Sequence, residues 1–137
     1  MRRLTALALL LGPLLLGLGA CSTTLPSGSD AGTGRGYVVF FDEWSAGLDR
    51  AANNVIAAAA RAAAAAPDAP VHVVGAADTL GSPQANIYLS QTRAQVVADA
   101  LVTDGVAASR IVQLARGSLQ PVGGLVESRR VTITIGG

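Results

Sequence analysis

Residues 71–103 read VHVVGAADTLGSPQANIYLSQTRAQVVADALVT. Val71-His72-Val73-Val74-Gly75 is rich in β-branched residues and predicts a strand. Gly81, Ser82 and Pro83 are turn residues, so residues 76–84 are expected to form a loop. A helix is predicted from Pro83 or Gln84 to Thr103. Its Ala94, Val97, Ala98 and Leu101 stand at i, i+3, i+4 and i+7, which is one apolar face. Gly105 supplies the stop.

The same reading extends outward in both directions. Tyr37-Val38-Val39-Phe40-Phe41 predicts a short buried strand. Asp42 to Gly47 is polar and ends it. From Leu48 onward, apolar positions 48, 51, 52, 55, 59, 62, 63 and 66 follow helical spacing, and Pro67 and Pro70 close that helix. Ala dominates it, giving high helix propensity and little side-chain bulk. Arg110–Ala115 predicts a third strand. From Arg129 to Ile135, Val131, Ile133 and Ile135 alternate with Arg130, Thr132 and Thr134, a strand with one buried face. The order is β-α-β-α-β-β. The expected class is α/β: a mixed sheet with two main helices packed on it. With five aromatic residues in the chain, the core must rest on aliphatic side chains.

Composition divides the chain. It has 137 residues, ten Arg, no Lys, nine acidic residues, and one each of Cys, His and Trp. Nine of its seventeen Leu fall in residues 1–20, with Arg2 and Arg3. Without those two arginines the net charge falls from +1 to −1. Leu4 to Leu18 is an apolar run interrupted by Thr5, Gly12, Pro13 and Gly17. A spanning helix needs roughly 20 apolar residues, and this run is shorter. A basic start, a short apolar run and a small-residue end make residues 1–20 a secretory signal. Residues 22–36, rich in Gly, Ser and Thr, read as a flexible tether. Such a tether spans on the order of 20 Å, and about 50 Å at most. The domains expected are therefore 1–20, 21–36 and 37–137.

Several functions are disfavoured. One Cys forbids an internal disulfide and a Cys-cluster metal site, and one His forbids a multi-His centre, so neither metal nor cofactor is expected. A near-neutral balance argues against nucleic acid as a partner. No nucleophile, base and oxyanion site assembles around His72 or Asp78-Thr79, so an enzyme is not expected.

Leu18-Gly19-Ala20-Cys21 resembles the lipobox of bacterial lipoproteins. The resemblance implies cleavage before Cys21 and acylation there. Ser22 is compatible with an outer-membrane destination. Further on, Gly75-Ala76-Ala77-Asp78, the Gly81-Ser82 turn and Asn86-x-x-Leu89-Ser90-x-x-Arg93-Ala94 resemble the OmpA-like peptidoglycan-binding domain. Val38 to Asp42, Gly105-Val106, Pro121 and Arg129-Arg130-Val131 extend the likeness over roughly residues 37–136. With the lipobox, the architecture resembles the peptidoglycan-associated lipoproteins.

The likeness implies binding of the diaminopimelate residue of the peptidoglycan stem peptide. That zwitterion needs one fixed anion and one fixed cation. Asp78 is expected to accept from its ammonium, and Arg93 to grip its carboxylate with two N–H groups. Asn86, seven residues before Arg93 on the same helix face, is expected to contact ligand or hold the loop. Thr79 and Asp42 are expected at the rim. The plainer reading makes Asp78 a turn residue capping local N–H groups, and Arg129 and Arg130 solvated strand-end charges. Leu89 reads as core. Ala76 and Ala77 stand where the family commonly has polar residues, and Ser128 where an Asn often precedes the paired Arg. The implied partners are peptidoglycan, the outer membrane through the lipid, and envelope proteins, with the domain facing the periplasm. The alternative is an envelope or secretion-assembly component that uses the same fold mainly to bind protein.

Overall fold

A computed structural model describes residues 36–119 and 125–137. The leader, Cys21, the tether to residue 35, and the late loop with Pro121 and Gly123-Gly124 lie outside the described residues. The elements are β1 (Tyr37–Phe40), α1 (Arg50–Ala65), β2 (Val71–Ala77), α2 (Pro83–Thr103), β3 (Ile111–Ser118), α3 (Leu125–Ser128) and β4 (Arg130–Ile135). A 3₁₀ turn, Ala108–Arg110, precedes β3. The predicted β-α-β-α-β-β order is observed; the single turn α3 is additional.

The four strands form one sheet in the order β1-β4-β2-β3. β4 runs antiparallel to both β1 and β2, while β3 is parallel to β2. Both long helices lie on one face, α1 over β1 and β4, α2 over β2 and β3. Alternation sends Val39, Val71, Val73, Val131 and Ile133 to the helices, where all are buried. Burying one such side chain contributes about 1.5–3 kcal/mol, so this aliphatic layer is the main source of stability. The opposite face leaves Phe40, Val112 and Leu114 about half exposed.

α1 begins at Asp49, whose carboxylate accepts from Ala52 N–H at 2.7 Å. It buries Ala52, Ile56, Ala59, Ala60 and Ala63. The buried stripe is shifted from the predicted one, which placed Ala51 inside and omitted Ile56. Ala on nearly every side of the helix left the phase ambiguous. At the other end, Arg110 donates to Ala63, Ala66 and Ala69 carbonyls at 2.7–3.0 Å. A cation there satisfies the orphan acceptors of the last turn.

α2 starts at Ser82, which caps Ala85 N–H, with Pro83 in the first turn. It ends where Gly105 takes φ +101° and Val106 N–H donates to Leu101 O. It sits very close to β2. A Cβ on Gly75 would fall 2.0 Å from the Ser90 carbonyl oxygen, so only Gly fits there. β2 also runs two residues further than predicted. Ala76 and Ala77, expected in the loop, are buried strand residues, and the β2–β3 register shifts between Gly75 and Ala77. Their small side chains suit that confined position.

Candidate functional site

The strand order gathers one end of the sheet into a cluster. β1, β2 and β3 all finish at this edge, and antiparallel β4 begins there. The N-terminus of α2 returns to the same place through the loop after Ala77. Asp78, Arg129, the Asp42–Ser45 loop and the first three turns of α2 therefore converge, although they are far apart in sequence.

Asp78 is the anion of this cluster and is only 5% exposed. Its Oδ1 accepts from Leu80 N–H at 2.9 Å, an Asx turn of the kind the plainer reading expected. Its Oδ2 is buried and has no hydrogen-bond donor. The nearest cation is Arg129, with Nη1 3.6 Å from Oδ2. Arg129 is mostly buried, and its Nε has no acceptor. Its Nη1 also lies 3.7 Å from Glu43, whose side chain is half exposed. Arg129 is thus not a solvated strand-end charge. The signal was present in the alternation: counting back from Ile133 and Val131 puts residue 129 on the helix-covered face.

Arg93 has a different setting from the one expected. Its side chain is fully buried. Nε donates to Ser45 O at 2.8 Å, Nη2 to Asp42 O at 2.9 Å and Nη1 to Ala76 O at 3.2 Å. Its guanidinium carbon lies 5.2 Å from the centre of the Phe41 ring. Burial pulls the Arg93 guanidinium below its ordinary pKa; Asp78 opposes this and Arg129 adds to it. In place of a direct pair with Asp78, Arg93 ties the post-β1 loop to the end of β2. Asp42 enters through its carbonyl, while its residue surface is exposed. Thr79 is exposed on the loop beside Asp78.

Asn86 is buried and holds the loop. Its Nδ2 lies 2.8–3.0 Å from Asp78 O, Leu80 O and Ser118 Oγ. Two hydrogens shared among three acceptors fix the amide orientation. Its Oδ1 is buried without a donor. Ser90 donates to Ile87 O and accepts from Gly117 N–H, joining α2 to β3. Asn86, Ser90 and Arg93 continue the buried stripe of Ala94, Val97 and Leu101. The stripe is polar where it meets the cluster and apolar where it meets the core. Leu89, read as core, is half-buried and lies outside the main cluster.

Comparison with known proteins places this arrangement in a family. The OmpA family profile matches residues 40–124, more than half of the chain. The chain belongs to the OmpA family. Probable lipoprotein YiaD of Escherichia coli K12 is 39% identical over 103 residues, covering 71% of this chain and 47% of YiaD. Peptidoglycan-binding protein ArfA of Mycobacterium tuberculosis H37Rv is 42% identical over 77 residues, covering 52% of this chain and 24% of ArfA. The chain spans less than half the length of either relative. The crystal structure of the peptidoglycan-associated lipoprotein from Burkholderia pseudomallei has the same fold, with TM-score 0.67 at 24% identity over 72% of this chain and 89% of that one.

Proposed function

We propose that this chain is an outer-membrane lipoprotein that binds peptidoglycan non-covalently through the diaminopimelate residue of the stem peptide, and so tethers membrane to cell wall. The observation that carries the reading is the ion pair at the sheet end, 3.6 Å apart, in which each partner keeps a buried polar atom without a hydrogen bond. Asp78 Oδ2 is a buried acceptor without a donor, beside Arg129, whose buried Nε is a donor without an acceptor. Buried polar atoms normally find partners, so two orphans of opposite kind side by side suit a ligand with both charges. The ammonium of diaminopimelate meets Asp78 Oδ2, and its carboxylate meets Arg129 Nε. Asn86 Oδ1 is a second unpartnered acceptor in the cluster. Arg93 holds the walls and adds positive charge behind them. Thr79 and Asp42 form the rim. The chemistry is binding, not catalysis. The names of YiaD, a probable lipoprotein, and ArfA, a peptidoglycan-binding protein, support the envelope setting.

The test is co-sedimentation of the chain, in detergent, with isolated sacculi at moderate salt. Diaminopimelate-type sacculi should pellet it. Lysine-type sacculi, which keep the ammonium and lack the second carboxylate, should pellet it weakly. Asp78→Ala should abolish pelleting, at a cost of about 2–5 kcal/mol because a buried cation loses its partner. Retention of wild-type chain in the supernatant with both sacculi sinks the reading.

A second reading, docking of an envelope protein, draws on the sheet face that neither helix covers, where Phe40, Val112 and Leu114 are half exposed. Pull-down from envelope extracts separates the two. Muramidase digestion removes co-purification through peptidoglycan and leaves a protein partner in place.

A further inference from the structure

We propose that Trp44 is a stacking platform for a sugar ring of the glycan strand, set beside the Asp78–Arg129 cluster; the inference rests on the peptidoglycan reading above. Trp44 is the only Trp in the chain and is 53% exposed. Among the described residues it is the only non-glycine with positive φ, +54°. Bulky side chains rarely occupy this left-handed region, which Gly or Asn enters readily. A large aromatic kept there, half in solvent, stores strain that core packing does not explain, and strain of this kind tends to mark functional positions.

The neighbours show what the strain achieves. The outer edge of the indole ring lies on Gly81, where a Cβ would come within 2.4 Å of Trp44 Cη2. Gly81 is itself left-handed, φ +85°, and follows directly on Leu80, whose N–H is held by Asp78. The indole is therefore seated on the loop that carries the site's anion. Residues on both sides of it are pinned by the site's two buried cations. Glu43 lies 3.7 Å from Arg129, and Ser45 O accepts from Arg93 at 2.8 Å. Asp42 O accepts from Arg93 as well. The ring is thus positioned relative to Asp78 before any ligand arrives, and little ordering remains to be paid on binding.

The occupant follows from the polymer's chemistry. Beside its diaminopimelate, the stem peptide offers small and charged residues that gain little from a flat aromatic surface. The glycan offers pyranose rings. Their axial C–H groups make a flat apolar face ringed by hydroxyls. An indole matches that face, covers it through C–H contacts with the ring, and keeps its own polar edge in water.

The experiment uses the full chain in detergent and two soluble probes. One is the disaccharide-peptide released by muramidase from diaminopimelate-type sacculi. The other is the same stem peptide freed of sugar by an amidase. Because the chain has a single Trp, its fluorescence reports on residue 44 alone. The disaccharide-peptide should shift the emission to the blue and protect it from acrylamide, and the free peptide should do neither. By calorimetry the disaccharide form should bind about three- to tenfold tighter than the free peptide, the range expected of one aromatic contact. Trp44→Gly, which suits the left-handed backbone and should fold normally, should erase that difference, so that the two probes bind with equal affinity. Trp44→Phe should keep part of it. Equal affinities for the two probes in the wild type, or an undiminished preference in Trp44→Gly, overturns the proposal and leaves the stem-peptide reading standing. Failure of both probes to bind wild-type chain overturns both.

Discussion

Two buried arginines share the sheet end and carry different loads. Arg93 spends three of its five N–H groups on main-chain carbonyls and has no exposed surface. Arg129 keeps an unused Nε beside Asp78. Substitution should separate them. Arg93→Lys cannot reproduce a planar fork that reaches three carbonyls in different directions. It should lower stability by about 3 kcal/mol or more, as buried acceptors lose donors, and binding should fall with it. Arg129→Gln should abolish sacculus binding with a much smaller change in melting temperature. Thermal unfolding beside co-sedimentation reads both; equal thermal losses in the two variants would contradict the division. Asn86→Ala leaves Asp78 O, Leu80 O and Ser118 Oγ without their shared donor. A loss of about 1–3 kcal/mol is expected in urea unfolding. Of these residues, Asp78, Arg93 and Asn86 were legible in the sequence through their spacing and resemblance. Arg129 was legible only by carrying the β4 alternation one residue past the strand. Glu43 carried no signal at all, because its relevance comes solely from where Arg129 lands.

The helices are held to the sheet by unlike means. α1 is built mostly of Ala, so its side chains bury little area and its ends matter more. Asp49 caps its start and Arg110 collects the carbonyls at its finish. Asp49→Ala should cost about 1 kcal/mol, readable as a shift in the urea midpoint at unchanged slope. α2 depends instead on closeness. At Gly75 the Ser90 carbonyl occupies the place a methyl would take. Gly75→Ala must push α2 from β2, with a cost of about 1–3 kcal/mol or more. Because Asn86, Ser90 and Arg93 ride on the same helix, that displacement should also weaken binding to sacculi. The helices were predictable to within about two residues at their ends. The buried phase of α1 was not, since a run of Ala presents the same side chain in every direction.

In the proposed function, a lipid anchor at Cys21 and a peptidoglycan-binding domain would act in series. Cys21→Ser should move the protein from the membrane fraction to the soluble fraction of the envelope while leaving sacculus binding intact. Fractionation followed by co-sedimentation tests this. A variant that stays with the membrane removes the lipid anchor from the proposal. Much of this protein was readable without coordinates. The order of strands and helices follows from local patterns, side-chain period and turn residues, and the family likeness pointed to the candidate anion Asp78. The pairing of β4 between β1 and β2 does not, because strand order is a contest among distant contacts that no local period records. That pairing sets the start of β4 against the ends of its neighbours. It brings Arg129 to Asp78, turns Arg93 inward to bind the chain's own carbonyls, and fixes Trp44 over Gly81 at the edge of the site.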